Sequence, residues 1–451
     1  MPESLIRRLV ARLRAPVEPA DRERAALHVL DWAGAAIAGR VSPAGRALAA
    51  TARGIGQGAA TGVGMPGLSP AAAAFLNGGL GNVLEMDDIH RSAILHPGPV
   101  VIPAALAAAE AARASPARLL DAVVRGYEAM IRIGAAVGPG HYALWHNTAT
   151  CGPFGAAAAA GDLSGLDDEA MIWALGNAGT QASGPWRCRH EPVMTKQLHT
   201  ARAAQSGLIA AALAAQGFTG PEWMLEGAQG FFAAMAPDAD PRAVMAEPAS
   251  PWRIWDTSFK PWPACRHAHA AIDAALVLHR RGIAPDAVAA ILVETYPDAI
   301  AFCDRAEPGS EAEAKFSLQH CVAHALMRGA PGLGDFGPEA IAASAGLRRR
   351  TRLAVAEPYA SAYPHHYGAA VTLRLNDGAR LRAEIPDALG DPANPVAQAQ
   401  LVAKARALIA AAGHPAPDRV IDAARALAGG GPLADLTRAL GAAPHGPSAP
   451  Q

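Results

Sequence analysis

The spacing of apolar residues is the feature that most restricts what this chain can fold into. Up to about residue 265, apolar side chains recur at helical spacing between Pro and Gly residues, for example over 21–38, 103–114 and 119–137. Hydrophobic residues make up 51% of the chain and Ala is in large excess, which favours helix because Ala loses no side-chain entropy there. The pattern predicts a mainly α protein built on a large helical bundle.

Two stretches show this pattern most clearly. Residues 3–15 carry apolar side chains on one face and arginines on the rest, which predicts an amphipathic core helix and not a signal peptide. Residues 196–218 predict a long helix that stops at Gly217. Its apolar stripe is predicted to be Leu208, Ile209, Ala212 and Leu213.

The pattern changes from about residue 285. Residues 288–296 are rich in β-formers, and 370–385 alternate as a hairpin around a turn at 376–378, with helical segments at 318–327 and 338–345 between them. Helical spacing returns over 396–412, 417–428 and 433–440. Because 451 residues exceed one ordinary core, we expect two domains. They are a helical domain of 1–265 and 395–440 and an inserted α/β lid domain of 266–394, followed by a disordered tail of 441–451.

Charge and cysteine content exclude several classes of partner. Lys+Arg 39 against Asp+Glu 40 leaves a formal net charge of -1, so no global field attracts nucleic acid or a membrane surface. The 5 cysteines form no CxxC pair, which predicts reduced thiols in a cytoplasmic protein, with no metal and no cofactor. No apolar run is long enough to predict a membrane span.

A polar island interrupts the apolar N-terminal half. Residues 85–90 read Glu-Met-Asp-Asp-Ile-His, and His96-Pro97 follow. One interpretation is a metal site, although the spacing fits no regular zinc or calcium pattern. A second is helix capping beside a solvated loop. The third is an acid/base cluster, in which a histidine held by a neighbouring carboxylate moves protons near neutral pH.

Lysine is scarce in this chain. The 39 basic residues include only Lys196, Lys260, Lys315 and Lys404. A lysine that persists in so Arg-biased a composition is a candidate for a task that needs a compact ammonium, with chance drift as the alternative. Lys196 lies three residues before His199, so the two share one face of the predicted helix.

Two further segments carry candidate site residues. Residues 260–269 contain Lys260, Cys265 and Arg266 at the predicted domain boundary, where ligand clefts commonly form. Arg266 can hold a carboxylate through paired hydrogen bonds, whereas Cys265 is either a nucleophile or simply a buried thiol. His146 precedes an Ala-rich helix whose N-terminus would help to bind an anion, or it is structural.

Several short motifs occur along the chain in a characteristic order and spacing. They are LEMDD at 84–88 with His96-Pro97, Trp145-His146 with GPFG at 152–155, TKQLH at 195–199, GFTGP at 217–221, KPWPACR at 260–266 and FSLQH at 316–320. Together they resemble the MmgE/PrpD family over nearly the whole chain. The family includes 2-methylcitrate dehydratase, cis-aconitate decarboxylase and iminodisuccinate epimerase. The resemblance implies a large helical domain built from both chain ends, an inserted α/β lid domain and a homodimer.

The resemblance also implies a pocket for a small polycarboxylate. Its catalytic residues are predicted to be His96, His146, Lys196 and His320, and its substrate-binding residues Glu85, Asp88, His199, Lys260, Cys265 and Arg266. Relative to the decarboxylase pattern, Glu85 replaces Asp, Ile89 replaces Thr, Cys265 replaces His and His320 replaces Tyr. These departures argue against cis-aconitate decarboxylation and leave polycarboxylate binding intact.

Three functions follow as hypotheses. The first is a lyase, in which cations hold the substrate carboxylates while His96 and His146 act as acid and base in the dehydration of a methylcitrate-like acid. The second is an epimerase of an amino- or imino-dicarboxylate, which needs a base on each face of one carbon and could use His320. The third is a non-catalytic binding protein on the same fold.

Overall fold

The computed structural model describes residues 3–191, 193–247 and 251–445, in two compact units. The large unit holds the chain up to Thr257 and again from Ala397, and the small unit is Ser258–Val396. The predicted fold class is confirmed, because the large unit is mainly helical and the small one contains a mixed four-stranded sheet. Of the tail predicted to be disordered, residues 446–451 lie outside the described residues, whereas His445 N–H donates to the Gly413 carbonyl at 3.2 Å.

Serine and proline mark where several helices of the large unit begin. Ser42, Ser69 and Ser115 each accept a backbone N–H of the first turn, and each is followed by a proline whose missing N–H costs nothing there. The first segment of this unit contains α1 (Leu5–Leu13), α2 (Pro19–Arg40), α3 (Pro43–Ile55), α4 (Pro70–Asn82), α5 (Gly98–Ala112), α6 (Pro116–Ala136), α7 (Gly138–Leu144), α8 (Asn147–Leu163), α9 (Asp168–Gly179), α10 (Thr195–Ala214) and α11 (Phe231–Met235), with strands β1 (Gln57–Gly62), β2 (Met65–Leu68) and β3 (Ile89–His90).

Helix α1 confirms the amphipathic prediction, since Leu5, Ile6, Leu9, Val10 and Leu13 are buried. Helix α10 confirms the long helix but not its stripe: Leu213 is 38% exposed and Ala212 is also exposed. The buried face consists mainly of small residues, although Leu208 of the predicted stripe is buried as well. A Cβ on Gly207 would lie 2.4 Å from the Pro153 carbonyl oxygen, so α10 and α8 pack too closely to admit large side chains there.

Strand β4 (Thr257–Ser258) lies at the boundary between the two units. The small unit is built on one sheet. Its strands lie in the order β6-β5-β7-β8, with β5 parallel to β6 and the other pairs antiparallel. The predicted hairpin is confirmed, and Gly378 supplies the positive φ of 87° in its turn. The elements are α12 (His269–His279), β5 (Val288–Thr295), α13 (Pro297–Cys303), α14 (Glu311–Ala314), α15 (Leu318–Arg328), α16 (Pro338–Arg349), β6 (Thr351–Val355), α17 (Tyr359–Ala362), β7 (Ala369–Leu375) and β8 (Arg380–Ile385).

The chain then returns to the large unit through α18 (Gln398–Ala411), α19 (Pro417–Ala426) and α20 (Leu433–Gly441). Helix α18 packs against α2, where a Cβ on Gly34 would lie 3.1 Å from the Ala405 Cα. This close contact brings the C-terminal part of the chain beside the loop that follows α4. Within the described ranges, no helix is long and apolar enough to cross a membrane.

Candidate active site

The loop between α4 and α5 carries the polar island, and its two adjacent aspartates have different partners. Asp88 is buried, and its Oδ2 accepts from His28 Nδ1 and from the Tyr127 hydroxyl, each at 2.6 Å. Its Oδ1 accepts from Gly98 N–H at 2.8 Å, at the first residue of α5. Burial lowers the pKa of His28 to about 4, so this ring is neutral at pH 7 and donates to the carboxylate.

Asp88 is therefore occupied on both oxygens by protein donors. A Cβ on Gly98 would lie 2.6 Å from Asp88 Oδ1, which shows how closely the carboxylate approaches the start of α5. Its contacts are those of a group that fixes the loop and begins a helix, rather than those expected of a substrate ligand.

Asp87 faces His96. The His96 Nδ1 lies 3.0 Å from Asp87 Oδ2 and 2.9 Å from the Asp88 carbonyl oxygen. Both neighbours are acceptors, so Nδ1 carries the proton of the neutral ring and Nε2 is left as an acceptor. Asn82 Nδ2 donates to the same Asp87 oxygen at 2.7 Å, and His96 N–H donates to Thr148 Oγ1 at 3.0 Å. The ring is thereby held in one tautomer and orientation.

A second imidazole pair lies beside His96. The His96 and His146 rings have centroids 6.3 Å apart, and His146 Nδ1 lies 3.2 Å from His199 Nδ1. Burial, followed by the charge of Lys196, lowers the pKa of His146 well below its usual range and that of His199 to about 4. Both rings are neutral at pH 7, and Trp186 packs on His146 with ring centroids 4.3 Å apart.

Lys196 supplies the positive charge of this cluster. Its ammonium forms a close ion pair with Glu85, and their side chains are 18% and 9% exposed. Glu85 has a φ of 58°, in the left-handed region that residues with a Cβ seldom occupy. Such a conformation persists only where the surroundings hold it, and it is common at functional sites.

The structure thus brings together five of the predicted residues within the large unit: Glu85, His96, His146, Lys196 and His199. We call this group the imidazole–lysine cluster. Sequence reasoning missed the buried partners around it, namely His28, Asp31, Tyr127, Trp186 and Lys404. Only Lys404 carried a signal, as one of the four lysines.

Apart from Asp88, the remaining predicted residues lie in the small unit, where they have partners of their own. Lys260 is fully buried and Cys265 nearly so. Arg266 forms a buried ion pair with Asp391 at 2.6 Å. The His320 ring contacts Ser344 Oγ at 2.9 Å through Nδ1 and the Asp335 carbonyl at 2.8 Å through Nε2. With both ring nitrogens engaged, His320 is not used as a base in the mechanism proposed below.

Two family domains match this chain. The MmgE/PrpD N-terminal domain matches residues 6–244, and the MmgE/PrpD C-terminal domain matches residues 262–428. The chain belongs to the MmgE/PrpD family. The resemblance seen in the sequence is therefore confirmed, and the imidazole–lysine cluster lies within the part that matches the N-terminal domain of the family.

Relatives of this MmgE/PrpD chain carry decarboxylase names. The cis-aconitate decarboxylase of Homo sapiens is 30% identical over 281 residues, 58% of this chain and 56% of that protein. The cis-aconitate decarboxylase of Aspergillus terreus is 32% identical over 229 residues, which are 48% of this chain and 46% of that protein. The cis-aconitate decarboxylase-like protein oryM of Aspergillus oryzae is 33% identical over 227 residues, which are 47% of each chain. The matches span about half the length of these relatives.

Proposed function

We propose that this protein is a lyase acting on a small di- or tricarboxylic acid, in which a proton is removed next to a carboxylate and a group is then eliminated. The observation that carries the proposal is the His96 ring, held at Nδ1 by two acceptors so that Nε2 is left as a base. Family membership supports the substrate class, and the departures from the decarboxylase pattern favour elimination of hydroxide over loss of CO2.

In the proposed mechanism His96 Nε2 takes the proton from the carbon next to the substrate carboxylate. The electron pair left on that carbon is delocalised into the carboxylate, whose added negative charge is stabilised by the Lys196 ammonium. Asp87 faces the positive charge that the His96 ring acquires. His146 stays neutral in the buried cluster and donates a ring N–H hydrogen bond to the leaving hydroxyl. As the C–O bond breaks, the electron pair forms the C=C bond and the hydroxyl takes the proton held by His96, so that water leaves.

The second candidate is epimerisation of an amino- or imino-dicarboxylate. The observation that favours it is the presence of two imidazoles with ring centroids 6.3 Å apart. One ring would remove a proton from a carbon and the other would return one to its opposite face. Elimination is favoured over epimerisation because the two rings differ: His96 is held by a carboxylate, whereas His146 is held by another imidazole.

The test is a panel of methylcitrate, citrate, malate, cis-aconitate and iminodisuccinate, incubated with the purified protein in deuterated water and followed by NMR. An alkene product that forms without loss of carbon supports the lyase. Deuterium uptake without net loss of acid supports the epimerase, release of CO2 from cis-aconitate supports decarboxylation, and no change in any acid would contradict enzyme function.

Two variants link the activity to the site. His96→Gln and Lys196→Met should each abolish turnover while leaving the fold intact, because both remove a reacting or charge-stabilising group. The matched control is His365→Gln, which replaces an exposed histidine of the small unit. Turnover by His96→Gln at the control rate would rule out His96 as the base.

A further inference from the structure

Lys404 has an environment that its sequence context does not suggest. It lies on α18 with a side chain 8% exposed, and its ammonium donates to Asp31 Oδ1 at 2.6 Å and to the Met86 carbonyl at 2.5 Å. The tight packing of α18 on α2 at Gly34 and Ala405 places the lysine there. One hydrogen bond thus goes to a partner on α2 and the other to the backbone of the loop that carries Asp87.

Burying the ion pair of Lys404 and Asp31 in the core costs desolvation free energy. The Asp31 side chain is 2% exposed, and burial raises its pKa to about 6 against the opposing charge of Lys404. Replacing such a pair by apolar residues is often neutral or stabilising, so a buried pair is weak evidence for a role in stability alone. The hydrogen bond from Lys404 to the Met86 carbonyl instead indicates a role in holding the loop that carries Asp87.

The contact is one peptide away from the group that orients His96. The Met86 carbonyl belongs to the same planar peptide unit as the Asp87 N–H and Cα, so holding its oxygen restricts the position from which the Asp87 side chain extends. Asp87 Oδ2 lies 3.0 Å from His96 Nδ1. One residue earlier, the side chain of Glu85 is held by Lys196. The loop is therefore held by two lysines from different helices.

We propose that Lys404 is a positioning residue for the His96 base, acting from the C-terminal part of the chain through Met86 and Asp87. This role rests on the proposed function for its effect on turnover, but its effect on the His96 ring is independent of any substrate. Lys404 contacts neither His96 nor, in the proposed mechanism, the reacting atoms. Loss of the Lys404 ammonium should therefore change the tautomer and orientation of the His96 ring more than it changes substrate binding.

The test compares Lys404→Met with Arg406→Met. Arg406 lies on the same helix and its ion pair with Asp418 is exposed, which makes it a matched control. Histidine labelled with nitrogen-15 reports the tautomer of each ring by NMR, and His96→Gln assigns the His96 signals. We expect His96 to be held as the Nδ1–H tautomer in the unmodified protein and in Arg406→Met, and to become a mixture of tautomers in Lys404→Met.

With the acid that the panel identifies, Lys404→Met should lower kcat at least about tenfold, as loss of an outer-shell partner does, while KM changes by less than about threefold. Loss of stability alone would not change the tautomer of a folded ring. If Lys404→Met folds poorly because Asp31 is left without its ammonium, the double variant with Asp31→Asn removes the buried charge while leaving Met86 without its donor. The same change in His96 is expected there.

His96 signals in both Lys404 variants that match those of Arg406→Met would overturn the proposal. If no acid in the panel is turned over but the His96 tautomer still changes, the positioning role stands and the proposed function fails. If turnover is found and neither kcat nor the His96 signals respond to Lys404→Met, the proposed function stands and the positioning role fails.

Discussion

At the scale of single residues, Asp87 and Asp88 show how neighbouring carboxylates acquire different tasks. Asp88 is held by three donors, from His28, Tyr127 and the backbone of Gly98. Asp87 accepts a hydrogen bond from the side-chain amide of Asn82 and faces His96. In the first arrangement both oxygens already accept from protein donors, and the second orients a ring whose other nitrogen remains available for chemistry.

Asp88→Asn should destabilise the protein without a direct effect on chemistry. An asparagine amide has one NH2 group, which would face the donors that now surround one of the two oxygens. We expect a loss of about 2–4 kcal/mol in the free energy of unfolding, measured by urea denaturation. Asp377→Asn in the exposed hairpin turn is the control and should stay within about 0.5 kcal/mol. Equal stability of the two variants would contradict the assignment of Asp88 as a structural group.

Asp87→Asn tests the opposite assignment. The amide keeps the size of the side chain but removes the negative charge that faces the protonated His96 in the proposed mechanism. We expect kcat to fall by about a hundredfold, in the range of general acid–base contributions, when turnover of the identified acid is measured at pH 7. A kcat equal to that of Asp377→Asn would show that the carboxylate does not assist His96.

At the scale of helices, small residues decide how closely α8 and α10 approach, and this distance sets where Lys196 and His199 lie relative to His146. A Cβ on Gly207 would lie 2.4 Å from a carbonyl oxygen and 2.5 Å from the Ala156 Cβ. Both helices carry cluster residues in their first turns or at their caps. A change in their packing distance is therefore a change in the site.

Gly207→Ala should be destabilising by about 1–3 kcal/mol, because the added methyl forces α8 and α10 apart and this outweighs the higher helix propensity of Ala. Gly346→Ala on α16 is the matched control. A Cβ at Gly346 would meet no atom within 4 Å, so the same substitution should stabilise by about 0.5–1 kcal/mol. Thermal unfolding of both variants measures the difference, and a gain in stability for Gly207→Ala would show that the helices can separate at little cost.

At the scale of the whole molecule, buried neutral histidines make stability depend on pH. Burial lowers the pKa of His28 to about 4 and those of His90 and His267 to about 3. In the unfolded chain these rings take up protons near the ordinary value of 6.5, whereas in the folded protein they do so only at lower pH. Their contribution to stability is therefore fully present above pH 6.5 and is lost as the pH falls toward 3–4.

When the pH falls from 7 to 5, each of these rings should lower the free energy of unfolding by about 2 kcal/mol. His267 is the clearest to test because it lies among aromatic rings and contacts the Tyr296 hydroxyl at 2.8 Å. His267→Gln should lower stability at pH 7 and reduce the loss between pH 7 and pH 5 by about 2 kcal/mol, measured by urea denaturation. His365→Gln, at an exposed position, should leave the loss unchanged, and an unchanged loss in His267→Gln would contradict the account.

The sequence alone determined most of the local structure and selected residues of the candidate site. The amphipathic pattern of α1, the turn at 376–378 and the helices at both chain ends follow from periodicity and turn residues, which act over a few neighbours. The scarcity of lysine and the polar island selected Lys196 and His96. These signals are local, so they are readable without a fold.

Tertiary structure decided which of the two aspartates faces His96, which side of α10 is buried, and that Lys404 reaches Met86. Each depends on contacts between residues far apart in the chain: Asp88 with His28 across 60 positions, and Lys404 with Met86 across 318. Hydrogen bonds of this kind have no periodicity, because they arise from the close packing of helices that small residues permit. The sequence therefore determined the residue types available to the site, and only the packed structure determined which of them could act.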